Sequence, residues 1–378
     1  MGISTIRMLP KSNTRRLAPS TNALDQFSPV VVQNIAWSGR PKIMHSIMEA
    51  YMKVSSPTTA AGATIVFTML LLFGLSGSNY AYAQNSHQSP ESAPQVSYHR
   101  TTIDGIEIFY RAAGPVDAPA IVLLHGFPTS SQMYRDLIPR LADKYRVIAP
   151  DFPGFGQSAA PSPDSYKYSF EGAATLIDKL LVNLKVNRYA LYVMDYGAPV
   201  GFQLAVKHPE RVSALLVQNG NAYLEGIGSF WDPVKKFWKD DSAANRDAQK
   251  KYVLTFEATR WQYLNGVPDP TLVSPDAYTL DQAYLDRPGN ADIQVAWFYD
   301  YQNNLPKYPE WQAYFRKHKP PTLVMWGKND EIFLVQGAEP YRRDNPSAEV
   351  HILDTGHFAL ETHGPQIAGL IRDFLARQ

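Results

Sequence analysis

Hydrophobic and polar positions fall into two alternating rhythms along the chain, one of short apolar runs and one of helical spacing, and the switches between them mark the elements. From Tyr98 the runs "YHRTTI" and "IEIFYRAAG" read as two strands joined around Asp104 and Gly105, an Asp-Gly pair between apolar runs being a strong hairpin signal. "AIVLLHG", from Ala120, is a continuous apolar run, as expected of a strand covered on both faces. The helical pattern "SSQMYRDLIPRLAD" follows. Next come the strand "RVIAPD" ending at Asp151, a helix from Tyr168 to Val186, the strand "YALYVM", a helix after Asp195, and the strand "SALLVQN". Strands and helices alternating at this spacing predict an α/β fold, with a mostly parallel central sheet, flanking helices and right-handed crossovers.

The rhythm breaks after Asn221. The residues up to Lys319 are dense in Trp, Tyr, Phe, Asp and Pro, with helical stretches and no clear strand. "PTLVMWG" and "AEVHILD" then resume the strand pattern, and a final helix is expected from about His357. The organisation predicted is one core of residues 98–221 and 320–378, with a helical cap inserted as residues 222–319. No internal repeat is visible, which argues against solenoids and propellers.

Composition changes this picture mainly at the N-terminus. The 378 residues carry a formal net charge of +1, but residues 1–83 hold seven Lys/Arg and two Asp/Glu, leaving 29 bases against 33 acids in the remainder. A mildly acidic body gives no reason to expect nucleic-acid binding. With no cysteine, disulfides, thiol chemistry and cysteine metal sites are excluded. From Met52 the chain reads "MKVSSPTTAAGATIVFTMLLLFGLSGSNYAYAQ", where Lys53 precedes an apolar run and Ala81, Tyr82 and Ala83 precede Gln84. That is the pattern of a secretory signal peptide cleaved near Ala83, and it predicts an exported protein with no membrane span after processing. A transit peptide and an uncleaved membrane anchor are the alternatives, and residues 1–51 read as an upstream mis-start. Residues 84–97 are expected to be a polar Pro/Ser linker.

In open parallel sheets reactive groups gather at the C-terminal ends of strands. Four such ends here carry His125 with Gly126, Asp195, Asp330 in "WGKNDEIF", and His357 in "DTGHFALE". With this order the chain resembles the α/β-hydrolase superfamily over residues 98–378, in its epoxide hydrolase and haloalkane dehalogenase branch. The resemblance implies that Asp195 is a nucleophile on a sharp strand-to-helix elbow, His357 the general base, and Asp330 the acid that orients it. Asp354 and Glu225 are rivals for the orienting role, and a helix cap is the plain alternative for Asp195. Gly197, Ala198 and Pro199 suit the turn and the first turn of a helix, whose N-terminus favours an ionised carboxylate. Val193 stands where the family has a small residue and implies a looser elbow. "LHGFPTSS" resembles the family's HGxP loop, which implies an oxyanion hole from the backbone N–H groups of Phe127 and Tyr196, with His125 bracing the loop. "DFPGFGQSAAP" resembles the family's glycine-rich loop and lacks the ending of a phosphate loop, so Asp151 is read as structural.

The residue type at position 195 carries chemistry of its own. Serine attacking saturated carbon would leave an ether, whereas aspartate leaves an alkyl ester that His357 and water can cleave. The reaction expected is therefore substitution at sp3 carbon, either epoxide opening or carbon–halogen cleavage. Haloalkane dehalogenases hold halide with Asn after HG and Trp after the nucleophile, positions that here are Phe127 and Tyr196. No arginine pair of the fluoroacetate type lies near Asp195 in sequence. In "WFYDYQNNL", Tyr301 resembles the tyrosine that protonates the leaving oxygen in epoxide hydrolases, with Gln302 where Arg is usual, and ordinary packing is its other reading. Tyr223, Tyr263 and Tyr299 are candidates for a second tyrosine. The reading is a cofactor-free and metal-free epoxide hydrolase for a small hydrophobic substrate. The alternatives are a dehalogenase that binds halide through cap Trp or Tyr groups, a ligand-binding protein on the same scaffold, and a carboxylesterase.

Overall fold

The computed structural model describes residues 94–378; the signal segment and most of the linker lie outside the described residues. Eight strands form one sheet: β1 (Ser97–Ile103), β2 (Ile106–Ala113), β3 (Ala120–Leu124), β4 (Arg146–Pro150), β5 (Tyr189–Met194), β6 (Val212–Gln218), β7 (Thr322–Gly327) and β8 (Glu349–Leu353). Their spatial order is β1-β2-β4-β3-β5-β6-β7-β8. Only β2 runs against its neighbours, pairing antiparallel with β1 (Ser97 opposite Ala112) and with β4 (Tyr110 opposite Pro150). The expected hairpin turns at Asp104 and Gly105, both at positive φ.

Because side chains alternate across a strand, each apolar run feeds two cores. On one face Leu191 and Val193 of β5 join Val122, Leu215 and Val324 beneath the helices α2 (Phe170–Asn183) and α3 (Gly197–Lys207). On the other, Ala190, Tyr192 and Met194 join Ile121, Leu216 and Leu323 beneath α1 (Leu137–Leu141) and the C-terminal helix (Ala359–Leu375). This two-sided burial is why the strands read as unbroken apolar runs rather than as alternating ones.

The single helical stretch expected over residues 130–143 is instead a 3-10 turn, Ser131–Tyr134, followed by α1. Pro139 is the cause, since it has no N–H to donate to the Arg135 carbonyl and its ring crowds that carbonyl. The insertion between β6 and β7 contains α4 (Asp232–Lys239), α5 (Ala243–Val253), α6 (Phe256–Leu264), α7 (Pro275–Leu285), α8 (Asn290–Asp300) and α9 (Tyr308–His318). It has no strand; its one bridge pairs Ile227 with Phe333. Ser242, Thr255 and Ser274 accept N–H bonds at the starts of α5, α6 and α7, which explains where those helices begin. α9 lies on α3 through Trp311 and Phe315 against Phe202, so it flanks the sheet. α10 (Pro340–Asp344) precedes β8, and α11 is the C-terminal helix, kinked at His363 just before Pro365. None of the described helices is long and apolar enough to cross a membrane.

Candidate active site

The ends of β3, β5, β7 and β8 lie on one edge of the sheet and bring His125, Asp195, Asp330 and His357 together. Asp195 joins β5 to α3 at φ +49°, a left-handed conformation that costs a non-glycine residue about 1–2 kcal/mol. The surrounding contacts hold it there. Its Oδ1 accepts the backbone N–H groups of Phe127 (2.7 Å) and Tyr196 (2.5 Å), and its Oδ2 lies 3.6 Å from His357 Nε2. Gly126 permits this approach, because a Cβ at that position would stand 2.3 Å from the Asp195 Cβ. Val193 does not open the turn as its bulk implied. Its side chain is fully buried and occupies the space left by Gly201 on α3, where a Cβ would lie 2.4 Å from Val193 Cγ1. A small residue on the helix does the work of the small residue expected on the strand.

His357 is anchored from both sides. Its Nδ1 donates to Asp330 Oδ2 at 2.8 Å, and Gln218 Nε2, itself on a side chain bonded by Tyr192, donates to the His357 carbonyl at 3.0 Å. Asp330 also accepts from the Asn219 side chain (2.7 Å) at Oδ2 and from the backbone N–H groups of Ile332 (2.7 Å) and Phe333 (3.2 Å) at Oδ1. The rivals are elsewhere: Asp354 pairs with Lys328 and Glu225 with Arg343, both on the surface. Asn219 and Gln218 escaped the sequence reading. Their only signal was a run of amides closing a parallel strand, "VQNGN".

His125 braces its loop. It is fully buried, its Nδ1 donates to the Gly126 carbonyl (2.9 Å) and its Nε2 accepts the Phe152 N–H (3.0 Å). Burial lowers its pKa against the opposing pull of Asp151 and the Gly126 carbonyl, so the ring stays neutral in this tautomer. Asp151 is spent on the backbone N–H groups of Ser131 and Gln157 and has no reactive oxygen to offer.

Electrostatics set the protonation states. Burial pushes the Asp195 carboxyl up to about 6, even though His357 and the two backbone N–H groups pull it down. The group is therefore mostly ionised at neutral pH, though less acidic than the helix N-terminus alone would make it. For His357 burial works downward, yet the charge and hydrogen bond of Asp330, with the charge of Asp195, raise it above the ordinary histidine value. If Asp195 becomes an ester its charge disappears, and His357 moves toward the neutral base.

The insertion covers this edge with aromatic rings. Trp297 and Phe298 of α8, and Tyr301 in the 3-10 turn that follows, surround Tyr196 at centroid distances of 6.1, 5.8 and 5.8 Å. Tyr301 also packs on Trp231 (4.3 Å), and its hydroxyl lies 3.5 Å from that of Tyr308. The neighbouring Gln302 and Asn303 bond locally to Tyr299 and Asp300. The other tyrosine candidates are committed: Tyr223 donates to Asp344, Tyr263 to Asp281, and Tyr299 packs on Phe237 and lies partly exposed. The indole N–H groups of Trp231, Trp238, Trp297 and Trp326 donate to the carbonyls of Ile332, Phe298, Pro153 and Phe333.

Comparison with known proteins agrees with this architecture. A family model described as alpha/beta hydrolase fold matches residues 119–364. An uncharacterized hydrolase of Saccharomyces cerevisiae is 47% identical over 275 residues, 72% of this chain and 94% of that protein. A haloalkane dehalogenase of Mycolicibacterium paratuberculosis is 40% identical over 274 residues, 70% of this chain and 85% of that protein. In fold, the crystal structure of an epoxide hydrolase from Vigna radiata superposes with a TM-score of 0.61 at 22% identity, covering 75% of this chain and 98% of its own. A parallel sheet whose strand ends meet at one elbow, matched by the family model over most of the described residues, makes this chain a hydrolase of the α/β-hydrolase family.

Proposed function

We propose that the protein is an epoxide hydrolase that works through an alkyl ester on Asp195. The observation carrying this reading is the setting of the Asp195 carboxylate, one oxygen held by two backbone N–H groups and the other facing His357. In that setting Oδ2 attacks carbon. Oδ1 becomes the ester carbonyl, already in the oxyanion hole that stabilises its negative charge when water adds. His357, steadied by Asp330, takes the proton of that water. Asp195 and His357 are only 3% and 2% exposed, so the cap formed by the insertion has to part from the core to admit substrate.

The leaving group favours an epoxide over a halide. Phe127 and Tyr196 offer no side-chain N–H for a halide, the four indoles named above are already bonded to carbonyls, and the unpaired indole of Trp311 is packed on Phe202 of α3. Tyr301 offers a buried hydroxyl for the opening oxygen. The second reading is dehalogenation, favoured by the 40% identity to the mycobacterial haloalkane dehalogenase. Incubation with styrene oxide and with 1-bromobutane, assaying diol and halide separately, decides between them. Diol from the epoxide is the expected result; halide without diol establishes the second reading.

A further inference from the structure

Epoxide opening needs a proton for the departing oxygen, and Tyr301 already shares its hydroxyl with Tyr308. We propose that the side-chain hydroxyl of Tyr196, the residue after the nucleophile, is a second proton donor to that oxygen, so that Tyr196 contributes its backbone N–H to the oxyanion hole and its phenol to the leaving group. This rests on the epoxide reading.

Tyr196 is 1% exposed, and its hydroxyl has no hydrogen-bond partner. Six rings enclose it: Phe127, Phe155, Phe170, Trp297, Phe298 and Tyr301, with centroids 4.9–6.3 Å away. A phenol in such a cage forfeits its hydration for nothing in the empty enzyme, where phenylalanine would fill the same space without penalty. Two other buried tyrosine hydroxyls among the described residues are unpaired, those of Tyr189 and Tyr314. Tyr189 opens β5 at the end opposite the elbow, and Tyr314 stacks on His318, so neither can serve the site. Tyr223 and Tyr263 are spent on Asp344 and Asp281, leaving Tyr196, next to Asp195 in the chain, and Tyr301, whose ring lies 5.8 Å from that of Tyr196.

The step balances. The bond from Asp195 Oδ2 to carbon forms as the epoxide carbon–oxygen bond breaks, and the oxygen takes its proton from a phenol, leaving a phenolate. Water then adds to the ester carbonyl, the diol leaves, and Asp195 returns as a carboxylate. The one proton released in that half restores the phenol.

The test compares the full-length protein with its Tyr196→Phe and Tyr301→Phe variants on styrene oxide, in single turnovers followed by rapid quench and mass spectrometry. Tyr196→Phe keeps the backbone N–H. Ester formation is expected to slow about 10–100-fold, the share of one of two acids in a contribution of about 100–10,000-fold. Ester hydrolysis is expected to be unchanged and the thermal midpoint equal or higher, whereas a residue needed only for packing would leave the rate of ester formation unchanged as well. The double variant is expected to be slower than either single one. Ester formation within twofold of wild type in Tyr196→Phe, with diol still made, overturns the assignment and leaves the epoxide reading standing. No diol from wild type overturns both.

Discussion

Substituting His357 by alanine is expected to divide the reaction at the ester. Asp195 keeps both N–H donors on Oδ1, since neither comes from the histidine, and carbon attack by Oδ2 needs no base. Hydrolysis of the ester does need one. General-base participation contributes about 100–10,000-fold, which is about 2.7–5.4 kcal/mol at about 1.36 kcal/mol per decade. Turnover in His357→Ala is accordingly expected to fall by at least about 100-fold while ester builds toward one equivalent per chain. A second consequence follows from the electrostatics. His357 is among the influences that hold the Asp195 carboxyl down to about 6. Its loss lets that value rise further, so a smaller fraction of Asp195 is ionised at neutral pH. Ester formation is therefore expected to slow at neutral pH and to recover at higher pH. Intact mass after rapid quench measures the adduct, and peptide mapping locates it. An adduct on any other carboxylate, or sustained turnover with no adduct, refutes the reasoning, and no adduct with any epoxide or haloalkane supports a ligand-binding role instead.

The acid limb of kcat/KM is expected near pH 6, because attack requires ionised Asp195 and the rate falls as pH drops through its raised value; a limb near 4 would show a solvated carboxylate. Gly201→Ala is expected to cost about 1–3 kcal/mol in urea unfolding, as its Cβ would overlap Val193. The Val193→Ala, Gly201→Ala double variant is expected to be more stable than the sum of the two single changes, and strict additivity would show that the two side chains do not compete for one space.

Much of the site was legible because its parts are local. Asp195 directly follows β5, Asp330 lies in the short loop after β7 and His357 in the one between β8 and the last helix, and the loop after β3 carries its turn chemistry in a handful of neighbouring residues. The supports of those groups are not local. Asn219 reaches Asp330 across 111 residues and Gln218 reaches His357 across 139, and nothing in the run "VQNGN" says which partner an amide will meet. Tyrosines were the hardest to sort. Tyr301 had a partial motif and Tyr223 and Tyr263 had none, and only the packing showed that those two face carboxylates while Tyr301 lies against Tyr196 at the elbow.

What the chain determines by itself is thus the order of strands and helices, the hairpin at Asp104 and Gly105, and the place of an aspartate at the corner between β5 and α3. These depend on backbone preference and on the period of apolar positions, which act over a few residues. Only the tertiary structure decided that Val193 fits because Gly201 yields, that four of the indoles are already bonded to carbonyls, and that the Tyr196 hydroxyl is sealed without a partner. Those outcomes depend on close packing between segments far apart in sequence, where a few tenths of an ångström separate a contact from a clash.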